Sequence, residues 1–209
     1  DDIEVAVLSL PTVNAGADQT PNLGSSIALD ATVSGNITPS DLFTEAQSET
    51  ANYGSSPTSL GDPNWSATNG YWKGESNGDN SGGTGPSGPQ SGDDYIYLEA
   101  SSGNHTGDYL TSSVISNTGI SISFYYHMHG AAMGDLAIQV NNGTGWNTID
   151  SISGEQQLSQ TDPWIFRAIS IPSYVNDTIQ IRFKAFRGTS YTSDICLDDI
   201  GVSETPSCP

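Results

Sequence analysis

The stretch Phe124-Tyr-Tyr-His-Met-His-Gly-Ala-Ala-Met-Gly-Asp-Leu136 decides the fold. It continues an alternation of Ile120, Ile122, Phe124, Tyr126 and Met128. A period of two puts those side chains on one face of a strand. Gly130 and Gly134 interrupt it, and a second alternation, Leu136, Ile138 and Val140, follows at once. The pattern predicts two antiparallel core strands joined by a short glycine-containing turn.

Working outward, further strands are expected at 95–100, 113–116, 146–152, 164–171, 178–186 and 195–200. Turn residues separate them and no helical period intervenes. The fold class is therefore all-β, a jelly-roll-like sandwich of two antiparallel sheets. Residues 52–94 are dominated by Gly, Ser, Asn, Asp and Pro and read as one long loop. A chain of 209 residues suffices for one sandwich, burying about 70% of its unfolded surface. Five Lys and Arg against 24 Asp and Glu give a net charge of −19. Phosphate binding needs basic surface, so nucleic acid is not the partner, and an anionic membrane surface is equally unsuited. The acidity favours solubility and divalent cations instead. No apolar run approaches the roughly 20 residues of a membrane span, so membrane insertion is not expected.

Tyr126-His127-Met128, Gly130 and Met133-Gly134-Asp135-Leu136 resemble the central signature of MAM domains, extracellular modules with a jelly-roll fold. The resemblance runs from Asp41 to about Ser203. It includes Leu42-Phe43-Thr44-Glu45, Trp65, Thr84-Gly-Pro-Ser-Gly88 and Asp198-Asp199-Ile200. A long irregular segment after the first strand is expected of this family. Residues 11–20 and 25–30 resemble the opening of a PKD-type repeat. The expected organisation is thus 1–37, a linker or extra strands that join the sandwich; 38–203, the MAM-like sandwich; and 204–209, the start of a linker. The whole reads as a segment of a longer secreted protein with neighbouring domains. In that setting Cys196 and Cys208 are expected to form a disulfide, contributing roughly 3 kcal/mol in the chain-entropy picture.

The resemblance implies a structural Ca²⁺ held by Glu45, Asp199 and one of Asp93 or Asp94. Hard cations take six to eight oxygens gathered from separate segments. The family's Asp-His-Thr after Gly-Pro-Ser is missing here, leaving Gly92-Asp93-Asp94. Adjacent strand residues face opposite ways, so only one of Asp198 and Asp199 can serve a given site.

Arg167, Arg182, Lys184 and Arg187 supply four of the five cations. On the 178–186 strand, Gln180, Arg182 and Lys184 alternate with apolar residues and face outward as a basic stripe. Such a stripe can take a carboxylate or sulfate, or pair with nearby acids. Tyr71 and Trp72 stand in the polar loop, where they either stack on a sugar or anchor the loop. Trp146 and Trp164 are expected in the core. His127 and His129, two apart, could share a metal, but lack an evident third ligand. No His-Glu-x-x-His or strand-turn-helix nucleophile elbow occurs, and no paired acids mark glycoside cleavage. The expected function is non-catalytic: tethering a secreted protein to an extracellular polysaccharide through Tyr71, Trp72, Arg182 and Lys184. The alternative is adhesion to a matrix or cell-surface protein, accessory to a secreted peptidase.

Overall fold

The computed structural model describes the strand backbones at 12–14, 32–34 and 41–44, and residues 65–67, 71–75, 77–79, 81–101, 107–116, 119–174 and 177–204. The chain divides into two compact units, Asp1–Pro39 and Ser40–Pro209. In the first, β1 (Thr12–Asn14) and β2 (Thr32–Ser34) pair antiparallel as a two-stranded sheet of their own. The alternations at Ile3–Val7 and Ile27–Leu29 lie outside the described residues.

In the second unit the strands are β3 (Asp41–Thr44), β4 (Trp65–Ala67), β5 (Trp72–Glu75), β6 (Tyr95–Leu98) and β7 (Asp108–Ser112). There follow β8 (Ile115–Ser116), β9 (Ile120–His127), β10 (Asp135–Asn141), β11 (Trp146–Ser153), β12 (Ile165–Ile171), β13 (Thr178–Phe186) and β14 (Ile195–Glu204). One sheet has the order β11-β10-β13-β7-β4, with β8 also on β13. The other has the order β12-β9-β14-β6-β5, with β3 also on β14. Every described pairing in them is antiparallel, as the alternation predicts. The expected structureless loop at 52–94 is corrected in part, since β4 and β5 arise within it.

The deciding stretch is not a hairpin. β9 belongs to one sheet and β10 to the other, so residues 128–134 arch between the sheets. Both edges of β9 are taken by β12 and β14, and both edges of β10 by β11 and β13, leaving neither free to pair with the other. The two alternations face one core from opposite sides, which a hairpin pattern cannot be told from by period alone. Ile120, Ile122 and Phe124 of β9 meet Leu136, Ile138, Val140, Ile181 and Phe183 of the opposing sheet in a single cluster. At its centre the Phe183 ring meets Phe124 edge-on at 5.0 Å and Trp65 at 5.7 Å. At the rim Arg167 of β12 grips Asp150 of β11 by two bonds of 2.7 and 2.8 Å, joining the edge strands of the two sheets.

β14 carries a bulge. Its register on β9 jumps between Asp198 and Gly201, and Asp199 sits at φ 50°. The extra residue switches the strand's parity, so Ile195 and Leu197 before it and Ile200 and Val202 after it all reach the core. A left-handed conformation suits Asp better than most residues.

Candidate binding surface

Alternate residues of the β11-β10-β13-β7 sheet point away from the core, and on that face they build a continuous array. Ile179, Ile181, Phe183 and Ala185 are buried, leaving Arg182 and Lys184 outward as the sequence predicts. In register across the sheet, Thr148 lies opposite Gln139, Gln139 opposite Arg182, and Arg182 opposite Thr111. The Arg182 guanidinium carbon is 4.0 Å from the Tyr109 ring centre and 3.9 Å from that of Trp146. Its Nε donates to Gln139 Oε1 at 2.8 Å, and Gln139 Nε2 donates in turn to Thr148 Oγ1 at 2.9 Å. Lys184 Nζ lies 4.6 Å from the Phe186 ring centre and 5.8 Å from that of Tyr109.

Among the described residues no carboxylate pairs with Arg182 or Lys184; the ion pairs there are Lys73–Glu99, His129–Glu155 and Arg167–Asp150. Partial burial lowers the guanidinium's pKa from its usual value, against a smaller upward influence of Tyr109. An Arg flat against rings keeps its charge and a planar donor edge. Trp146, expected in the core, is half-buried in this stack instead. It opens a strand whose apolar period is weak, so position at a strand start did not fix its face.

The other sequence-predicted ligand residues fall elsewhere. Trp72 is 0% exposed and stands opposite Leu98 in the β5–β6 ladder. The expectation of a ligand-stacking ring there is corrected: a polar loop sequence conceals a short edge strand whose Trp fills the core. Tyr71 packs against the same core, and its carbonyl accepts the Glu99 amide at 3.0 Å. Neither joins the Arg182 array. Trp164 caps a smaller apolar group with Tyr95, Tyr97 and Cys196 on the outer side of the other sheet.

Of the acids, Asp93 is exposed and Asp94 buried. Asp198 is the fully buried member of its pair, and its Oδ2 accepts the amides of Gln90 (2.7 Å) and Ser91 (3.3 Å). Burial, set against these bonds and joined by repulsion from Asp199, raises the Asp198 carboxyl to about 6. Asp199 Oδ1 accepts the Ser91 hydroxyl at 2.7 Å. The Asp198–Asp199 bulge thus ties the 88–91 loop to β14. Glu45 and Cys208 lie outside the described residues, and with Cys208 the expected disulfide; Cys196 itself is buried. Among the described residues Asp93, Asp94 and Asp199 do not gather into a group of three that could hold a metal ion.

His127 and His129 have ring centres 6.5 Å apart and no third metal ligand joins them among the described residues. His127 packs edge-on against Trp164 at 5.6 Å, and burial lowers its pKa to about 4, so it is neutral. His129 Nδ1 lies 3.1 Å from the Gln157 carbonyl and 3.2 Å from the Glu155 carboxylate.

The sandwich is similar to the K2 cleaved adhesin domain of Lys-gingipain from Porphyromonas gingivalis, with a TM-score of 0.53 and 17% identity over 77% of this chain and 98% of that one. That likeness is one of fold. In sequence the chain is 34% identical over 122 residues to MAM domain-containing glycosylphosphatidylinositol anchor protein 1 of Gallus gallus, covering 55% of this chain and 12% of that protein. It is 31% identical over 81 residues to MAM and fibronectin type III domain-containing protein 1 of Acropora millepora, covering 39% and 16%. The chain thus spans well under a fifth of the length of these relatives. Among the described residues no helix is long and apolar enough to cross a membrane. The family model of the MAM domain, meprin/A5/mu, matches residues 56–209, and the chain belongs to the MAM family.

Proposed function

We propose that this chain is an extracellular binding module that holds a carboxylate- or sulfate-bearing polysaccharide on the outer face of the β11-β10-β13-β7 sheet. The observation that carries this reading is the Arg182 guanidinium, set between the Tyr109 and Trp146 rings with no carboxylate partner among the described residues. A ring-packed guanidinium is preorganised, so less side-chain freedom is lost when it takes an oxyanion. Tyr109 and Trp146 offer apolar surface to a sugar's C–H face, while Gln139, Thr111 and Thr148 supply hydroxyl partners. The net charge of −19 repels a polyanion at long range. Salt screens that repulsion beyond about 8 Å under physiological conditions, while the local cation pair still attracts.

Electrophoresis through gels containing an anionic or a neutral polysaccharide tests the reading. Retardation is expected from a uronate- or sulfate-bearing polymer and not from a neutral glucan. Arg182→Ala is expected to weaken binding about 10- to 100-fold, as befits a lost charge-assisted bond, with the melting temperature nearly unchanged. Equal retardation of Arg182→Ala and the parent chain would remove this face from consideration.

A second reading, adhesion to a protein, draws on Phe166. It is 55% exposed on the edge strand β12 and packs against Tyr125 at 5.1 Å. A matrix-protein pull-down lost on Phe166→Ser but retained on Arg182→Ala would favour it.

A further inference from the structure

The Arg182 array has an axis. In register across the sheet, Thr148 of β11, Gln139 of β10, Arg182 of β13, Thr111 of β7 and Ser66 of β4 form one row. Neighbouring strands lie about 4.8 Å apart, so the row spans roughly 19 Å. Arg182 carries the only charge in it, and the other members offer hydroxyls and an amide. Thr148 and Ser66 are exposed at its two ends, and Thr111 is half-buried beside Arg182.

Along the strands the surroundings differ. Lys184 stands two residues beyond Arg182 on β13, and past it the line ends in acid. Asp135 is exposed and lies opposite Phe186 in the β10–β13 ladder. At about 3.4 Å per residue it stands roughly 7 Å beyond Lys184, inside the screening length of about 8 Å. At the other end Asp177, also exposed, immediately precedes β13, and its Oδ2 accepts the Asn142 side-chain amide of the β10–β11 turn at 3.0 Å. A polyanion laid along β13 meets a carboxylate at each end. One laid across the strands meets Arg182 and then only neutral groups.

The guanidinium is suited to one anionic group at a time. Its Nε is spent on Gln139, which leaves the terminal nitrogens as the donor fork, and rings at 4.0 and 3.9 Å hold that fork in place. A planar pair of carboxylate oxygens matches such a fork. Lys184 adds attraction, which Asp135 offsets for any anion further along the strand. Elsewhere the molecule repels, with 24 Asp and Glu against five Lys and Arg over the whole chain.

We propose that the polysaccharide crosses the strands along the Thr148–Ser66 row and is sparsely charged, a mostly neutral chain whose isolated uronate carboxylates are taken singly by Arg182. This deepens, and rests on, the reading of this face as a seat for an anionic polysaccharide. Every further uronate close by on the polymer meets the negative field of the chain with no cation to receive it.

Homogalacturonan at graded degrees of methyl-esterification varies charge density on one backbone and serves as the probe. Gel retardation of the full chain is followed across the series, with chelator present so that no cation bridges protein and polymer. Affinity is expected to peak at partial esterification and to fall about 3- to 10-fold on the fully de-esterified polymer. Asp135→Asn, outside the row, is expected to strengthen binding of the de-esterified polymer about two- to threefold and leave the partially esterified one unchanged. The axis has its own readout. Ser66→Ala, two strands from Arg182, is expected to weaken binding about threefold, as for one lost neutral hydrogen bond. Gln180→Ala, two residues from Arg182 along β13, is expected to leave it unchanged.

Affinity that rises steadily with charge density overturns the inference. So does weakening by Gln180→Ala with none by Ser66→Ala. Both of those results leave the broader reading standing. Absence of retardation at every degree of esterification, or equal retardation of Arg182→Ala and the parent chain, fails the broader reading and the inference with it.

Discussion

Phe183→Ala is expected to lower the unfolding free energy by about 4 kcal/mol, which urea titration would read as a shifted midpoint at constant slope. Phe183 is fully buried and supplies the ring where the two sheets touch, against Phe124 from the opposing sheet and Trp65 from its own. Truncation removes both ring contacts and leaves a cavity that strands held by hydrogen bonds on both sides cannot close. β13 is paired to β10 along its full central length and to β7 and β8 on its other edge, so it has little freedom to sink inward. Domains of this kind are stable by about 5–15 kcal/mol, so the loss is a large fraction of the total. Phe166→Ala is the matched comparison. Its ring is 55% exposed, and a change under about 1 kcal/mol is expected. Equal losses at the two positions would refute the placement of the core.

Gly188→Ala is expected to cost about 3 kcal/mol or more, measured in the same way. The arch and the end of β13 cross at their backbones. A Cβ on Gly188 would overlap the Ala132 carbonyl, and one on Gly134 would overlap the Phe186 carbonyl and crowd the Gly188 amide. The obstacles are main chain on both sides, so no side-chain rotation relieves them. Gly82→Ala is the contrast: its added Cβ meets nothing within 4 Å, and near-neutrality is expected. If Gly188→Ala proved as mild as Gly82→Ala, the crossing would have to be looser than described.

Much of the sandwich was legible because a strand buried on one face writes its period into the sequence. β9, β13 and the second half of β10 are examples, and the outward placement of Arg182 and Lys184 followed from the same alternation. What was not legible has specific causes. β5 is four residues long at a sheet edge, too short for a period, so Trp72 looked like a loop residue although it is core. A place at a strand start predicts Trp146 inward, yet it stands in the Arg182 stack. Which neighbour a strand pairs with is a long-range choice, so the arch between β9 and β10 resembled a hairpin. The bulge had left a trace: Ile195, Leu197, Ile200 and Val202 break the period of two at Asp198–Asp199. The Arg182–Tyr109 contact joins residues far apart in sequence, and no local pattern announced it.

The position of β14 has a consequence for how the sandwich comes into being. This strand lies between β9 and β6 and also receives β3, so the sheet is divided until it is in place. In synthesis from the N-terminus it is the last of the described strands to appear. Until then β9 and β6 each present a bare edge to other chains, the kind of edge that invites aggregation. Pairing β14 with β3 closes a loop of more than 150 residues, from Thr44 to Gly201. Folding is therefore a late, long-range event, with a rate in the slow range of β-sandwiches, milliseconds to seconds on the order-of-magnitude scale of such topologies.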